Sequence, residues 1–82
     1  MNLEGIRAIV TGASSGIGLA TVRALIQAGA ARVGVLARNQ EKLDAAMHAL
    51  EQEQPGGRAV PMLADVRDGE ALAACFAEYV KL

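Results

Sequence analysis

The run Ile6-Arg7-Ala8-Ile9-Val10-Thr11-Gly12-Ala13-Ser14-Ser15-Gly16-Ile17-Gly18 decides how the chain is read. Its first half is short, apolar and β-branched, and a glycine closes it, which is the pattern of a strand that ends in a sharp turn. From Ile17 to Ala28 the residues are mostly apolar, with Arg23 and Gln27 on one outer face, and Gly29 follows. That spacing predicts a helix with a wide buried stripe and a glycine stop. Between strand and helix the glycines stand as Gly12-x-x-x-Gly16-x-Gly18. Gly12 lets the chain leave the strand sharply, Gly16 lets the backbone approach a pyrophosphate, and Gly18 lets the helix pack closely on the strand. The free N–H groups and the positive dipole end of the helix then face the phosphates. Ser14 and Ser15 add hydroxyl donors. The alternative is a glycine-rich turn that binds nothing; the position between strand and helix favours the phosphate cradle.

The pattern repeats outward from this loop. Val33-Gly34-Val35-Leu36-Ala37 reads as a second strand. Asn39 is a good helix N-cap, and Leu43, Ala46, Met47 and Leu50 recur at the spacing of one helical face. After the loop Gln54-Pro55-Gly56-Gly57, Ala59 to Ala64 reads as a third strand. Asp68 can cap a third helix whose apolar stripe is Leu72, Cys75, Phe76 and Tyr79. The order β-α-β-α-β-α predicts an α/β fold: a half Rossmann-like unit with a three-stranded parallel sheet of order 3-2-1 and right-handed crossovers. Pro61 agrees, because it lacks the N–H that a central strand needs and so belongs at an edge. Residues 1–82 are read as one truncated dinucleotide-binding domain.

Two further positions belong to the same end of the sheet. Arg38 follows the second strand, 20 residues past Gly18. An acid there would bind a ribose 2′-hydroxyl and select NAD; an arginine can meet the 2′-phosphate of NADP. The next acids, Glu41 and Asp44, fall inside the second helix and are expected to face solvent. The alternative for Arg38 is an ordinary exposed arginine at a strand end. Asp65-Val66 follows the third strand. Asp65 can accept from an adenine amino group while the Val66 backbone contacts the ring, although an aspartate there also commonly closes a strand or caps a turn.

Composition bounds the remaining possibilities. The chain has 82 residues, 52% of them apolar, a net charge of −1, one Cys and one His. It is expected to form one small core of aliphatic residues. The charge gives no electrostatic case for nucleic acid or an anionic membrane, and no apolar run is long enough for a span. A single Cys75 and the lack of a signal-like start fit a reducing, cytoplasmic setting, and one His with one Cys argues against a zinc site. His48 shares the polar face of the second helix with Glu41, Asp44 and Glu51 and reads as solvated. Cys75 reads as a buried small hydrophobe.

Together, Thr11 to Gly18, Leu36-Ala37-Arg38-Asn39 and Ala64-Asp65-Val66 resemble the short-chain dehydrogenase/reductase family over essentially the whole chain. The resemblance implies an NADP site in which Gly12, Ser14, Ser15, Ile17 and Gly18 serve the phosphates, Arg38 the 2′-phosphate, and Asp65 and Val66 the adenine. It also implies that the catalytic half is absent. Family members continue into a fourth strand ending in Asn-Asn-Ala-Gly, then a catalytic Ser and a Tyr-x-x-x-Lys pair. Tyr79 and Lys81 do not substitute for that pair, because residues two apart on a helix diverge by about 200°. The expected function is an NADP(H)-binding half domain of an oxidoreductase, inactive alone, with no catalytic or metal residues. The competing reading is an oligomeric scaffold that binds no nucleotide.

The same reading carries an expectation about assembly. With helices one and two on one face of the sheet and only helix three on the other, strand 1 has no outer neighbour. Such an edge is usually hidden. A homodimer through the strand 1 edge, an exchange of helix 3, or a complementary polypeptide carrying the catalytic half would each hide it.

Overall fold

The computed structural model describes residues 3–14 and 16–81. Its elements run β1 (Arg7–Thr11), α1 (Gly16–Gln27), β2 (Arg32–Ala37), α2 (Gln40–Glu53), β3 (Ala59–Leu63) and α3 (Gly69–Val80). The three strands form one parallel sheet with β2 in the middle. The expected order and element types are therefore those of the molecule: half of a Rossmann-like α/β sheet. Register runs from Arg7 opposite Arg32 to Thr11 opposite Leu36, and from Val33 opposite Ala59 to Ala37 opposite Leu63. Pro61 is exposed on β3, an edge strand, where its missing N–H costs no ladder bond.

Alternation along β2 divides the core between the two faces. Val33, Val35 and Ala37 point to the face covered by α1 and α2, and they pack with Val22, Ile26, Leu43 and Leu50. Leu36 points to the other face, where it meets Met62, Ala64 and Tyr79, with Ile9, Val60, Leu72 and Cys75 partly buried around them. Gly34 is also on this side. A Cβ there would sit 2.6 Å from the Met62 sulfur and 3.1 Å from Ile9 Cγ1, with the Tyr79 ring at 3.4 Å. The glycine in the central strand thus makes room for the α3 side of the core.

Local chemistry sets the helix ends. Gly29 N–H bonds the Ile26 carbonyl at 3.0 Å and Ala30 N–H bonds the Leu25 carbonyl at 3.1 Å. With Gly29 at positive φ, this is a Schellman stop for α1. Asn39 caps α2 by accepting from Lys42 N–H at 3.0 Å, and Asp68 caps α3 by accepting from Ala71 N–H at 3.2 Å. Arg23 of α1 forms a two-bond fork with Glu53 of α2, at 2.7 and 2.9 Å, which joins the two helices at their outer surface.

Helix α3 departs from its expected packing in one respect. Tyr79 is buried, and Leu72 and Cys75 are half-buried, but Phe76 is 39% exposed. The stripe is wider than the surface that a three-stranded sheet offers, so its flank stays uncovered. Cys75 is correspondingly less buried than its sequence position suggests; its Sγ approaches the Leu63 carbonyl oxygen at 3.4 Å. His48, Glu41, Asp44 and Glu51 are exposed, as read. No helix of the described residues is long and apolar enough to cross a membrane.

Candidate functional site

All three strands run in the same direction, so their carboxyl ends and the loops that follow them meet at one edge of the sheet. An open cleft of about 460 Å³ lies there. The β1–α1 loop contributes Gly12 and Ser14, the end of β2 contributes Arg38 and Asn39, and the turn after β3 contributes Asp65, Val66 and Arg67. Lys42, from the first turn of α2, completes the wall. Two backbone bonds fix the loops to the sheet: Ala13 N–H to the Leu36 carbonyl at 3.1 Å, and Ala64 N–H to the Ala37 carbonyl at 3.0 Å.

The glycine loop is built as its sequence requires. Gly12 and Gly16 have φ of 63° and 58°, in the left-handed region that side chains other than glycine's rarely enter. Gly18 is required for a different reason. A Cβ on it would lie 2.4 Å from the Gly12 carbonyl oxygen and 2.9 Å from Ala13 Cα. The first turn of α1 can therefore press against the Gly12–Ala13 turn only because residue 18 has no side chain. This close approach aims the N-terminus of α1, with its four N–H groups that lack intrahelical acceptors, toward the loop. No acidic residue lies in the first turn of α1 to repel an anion.

Of the residues singled out in the sequence, Gly12, Ser14, Arg38, Asp65 and Val66 line the cleft together. Gly16, Ile17 and Gly18 do not line it; they form the start of α1 beside it, with Ile17 88% exposed. Ser15 lies outside the described residues. Two lining cations, Lys42 and Arg67, have no place in the sequence reading. Lys42 looks like one of several solvated charges on α2, yet its position in the capping turn brings it back beside Asn39. Arg67 carries a readable signal, a cation two residues after Asp65.

Arg67 and Asp65 form the best-defined polar contact of the cleft. The guanidinium Nη2 donates to Asp65 Oδ2 at 2.7 Å, Nε lies 3.0 Å from Oδ1 and 3.2 Å from Oδ2, and the Arg67 backbone N–H donates to Oδ1 at 2.9 Å. The Arg67 guanidinium holds the Asp65 carboxyl well below the usual carboxylate range; the Arg67 backbone N–H and the charge of Arg38 act in the same direction. Arg38 itself has no hydrogen bond or salt bridge to the described residues and is exposed. The cleft thus carries three cations and one carboxylate that is already engaged.

Tyr79 stands elsewhere. Its hydroxyl donates to the Ala8 carbonyl at 2.8 Å, and burial raises its pKa above that of a free phenol. It lines an apolar groove between β3 and α3 with Val60, Met62 and Cys75, not the cleft at the loop edge.

A parallel β-α-β-α-β-α unit with a cleft outside the carboxyl ends of its strands is the architecture of doubly wound α/β proteins. The chain belongs to the short chain dehydrogenase family, whose profile it matches over residues 7–82. It is 44% identical over 71 residues to the fatty acyl-CoA reductase of Acinetobacter baylyi, covering 87% of this chain and 23% of that protein. Among solved structures, it resembles the NADPH-bound short chain oxidoreductase of Pseudomonas aeruginosa PAO1, with 47% identity and a TM-score of 0.82 over 93% of this chain and 30% of the other. It also resembles the L-sorbose reductase of Gluconobacter frateurii complexed with NADPH and L-sorbose, with 31% identity and a TM-score of 0.85 over 99% and 30% of the two chains. The chain therefore spans less than a third of the length of each of these relatives.

Proposed function

We propose that this chain holds the adenosine and phosphate side of a nicotinamide-dinucleotide site and prefers NADP(H) to NAD(H). The observation that carries this reading is the meeting of Gly12 and Ser14, Arg38, and Asp65 and Val66, from three separate loops, in one cleft. The residues suit the ligand. A volume of about 460 Å³ falls within the range of small-molecule sites, roughly 300–1,000 Å³. The start of α1 and the cations Arg38 and Lys42 suit phosphate groups, while Ala64 and the half-exposed Val66 offer apolar wall to a flat ring. Arg38 makes no hydrogen bond or salt bridge to the described residues and so can meet a 2′-phosphate, while Ser14, Ser15, Gly16, Ile17 and Gly18 would serve the pyrophosphate. The NADPH-bound relatives support the same choice.

When bound, the dinucleotide would donate hydride in its reduced form or accept it in its oxidised form, the chemistry of the family's reductases and dehydrogenases. In this chain the residues described bind and orient its adenosine half. Tyr79 is committed to the Ala8 carbonyl, and Lys81 pairs with Glu78 at 3.3 Å, so neither supplies an acid–base group to the cleft. The chain by itself is inactive in this reading. Titration tests the binding claim. Adenosine 2′,5′-bisphosphate should bind about as well as NADP, and both should bind about tenfold or more tightly than NAD, since charge-assisted hydrogen bonds contribute roughly 1.5–3 kcal/mol. Equal binding of NAD and NADP would remove the role given to Arg38.

The assembly reading rests on a different observation. The outer edge of β1 pairs with no strand of the described residues, and Ile6 and Val80 are 48% and 69% exposed. We propose that two copies pair β1 with β1′ about a two-fold axis; exchange of α3 and a complementary catalytic half are the rival arrangements. Sedimentation at micromolar concentration should show a dimer, and a folded monomer would exclude this pairing.

A further inference from the structure

We propose that Arg67 is a positioning residue of the cleft: it locks the Asp65 carboxylate into a single orientation, so that the cleft accepts an amino-bearing base and rejects one that presents a carbonyl at the same place. The proposal rests on the nucleotide reading above and adds to it a residue that reading does not use.

The geometry is the warrant. Asp65 offers two oxygens with about four acceptor directions between them. The backbone N–H of Arg67 and its Nε take Oδ1, and Nη2 takes Oδ2, with Nε also near the latter. The carboxylate is thus held in plane by a fork and a backbone bond at once; Nε is shared between the two oxygens, and its longer branch to Oδ2, at 3.2 Å, is the one an incoming amino group would replace. A carboxylate fixed in this way can only accept. An exocyclic amino group satisfies it, whereas a carbonyl oxygen places two acceptors face to face and leaves both unpaired.

Stability does not explain the arrangement. The Arg67 side chain is 75% exposed, and exposed ion pairs contribute little to folding. Arg67 also guards its neighbour. Arg38 lines the same cleft, and its charge already acts on Asp65. With Arg67 occupying both oxygens, Asp65 cannot capture Arg38, which stays available for a phosphate.

The experiment compares adenosine 2′,5′-bisphosphate with its inosine counterpart, by titration into the 82-residue chain and into the variants Arg67→Ala, Arg67→Lys and Asp65→Asn. The unaltered chain should prefer the adenine form by about tenfold, the scale of one charge-assisted hydrogen bond. Arg67→Ala should reduce that preference to about twofold or less, approaching Asp65→Asn, with an unchanged melting temperature. Arg67→Lys should restore charge without the fork and recover the preference only in part. A preference in Arg67→Ala equal to that of the unaltered chain would overturn the positioning role and leave the nucleotide reading standing. Failure of the unaltered chain to bind either compound would overturn both. A fall in melting temperature with intact base preference would make the pair structural and contradict the proposal.

Discussion

The two faces of the sheet are built to different standards. On one, α1 and α2 close over β2, and Val22, Val33, Val35, Leu43 and Leu50 are almost wholly shielded from water. On the other, α3 alone covers the strands; Tyr79 and Met62 are buried, but Leu72 and Cys75 are only half-buried and Phe76 is 39% exposed. The closed face carries the glycine loop and the start of α1, so the better-packed half of the molecule supports that end of the cleft. The open face adjoins the free edge of β1. The contrast shows where the cleft takes its support. The parts that shape it lie at the ends of three strands, which one well-packed face keeps in register.

Truncation of one leucine on each face would break this contrast or sharpen it. Leu50→Ala on the closed face should cost about 3 kcal/mol, within the range for a fully buried leucine. At fixed protein concentration that lowers the melting temperature by about 10–20 °C for a domain of this size. Leu72→Ala on the open face should cost about 1–2 kcal/mol, because its half-buried surroundings already admit water. Equal losses would show the two faces to be packed alike.

The next effect is smaller and belongs to the open face alone. Tyr79→Phe keeps the ring against Gly34 and Met62 and removes the hydroxyl with its bond to the Ala8 carbonyl. It should cost about 1 kcal/mol, read from urea denaturation, with nucleotide binding unchanged. Loss of nucleotide binding in this variant would place Tyr79 in the site.

Most of this architecture is legible in the sequence, for reasons that vary by element. Gly12, Gly16 and Gly18 are legible because two of them demand a backbone that only glycine tolerates and the third a contact that no Cβ permits. Asn39 and Asp68 are legible as caps because short polar side chains have few other uses at the start of an apolar stripe. Arg38, Asp65 and Val66 are found by counting from strand ends, since parallel strands bring those ends together. Lys42 and Arg67 escape because counting assigns one residue to each strand end and passes over side chains that fold back from the next turn. Phe76 is misplaced because helical spacing gives the width of a stripe but not the width of the sheet beneath it. The role of Gly34 depends on which side chain crosses the central strand, and that is fixed only by the tertiary packing of α3.

The smallest effect concerns pH. Asp65 is held well below the usual carboxylate range by Arg67. A depressed acid contributes above its unfolded value, about 3.9, and loses that contribution only as pH falls through the folded value. The Asp65 carboxylate should therefore stay ionised from neutral pH down to about pH 3, as read by carboxyl carbon shifts in NMR, and its pair with Arg67 should persist across that window. A titration midpoint near 4 would show that the fork does not hold in solution.

If the cleft at the three strand ends prefers a 2′-phosphate, as proposed, nucleotide titration of the unaltered chain beside Arg38→Asp will show it. The unaltered chain should bind NADP more tightly than NAD, and Arg38→Asp should abolish or reverse this order while the melting temperature holds. Equal affinity for the two dinucleotides in the unaltered chain, or an unchanged preference for NADP in Arg38→Asp, would contradict the proposal.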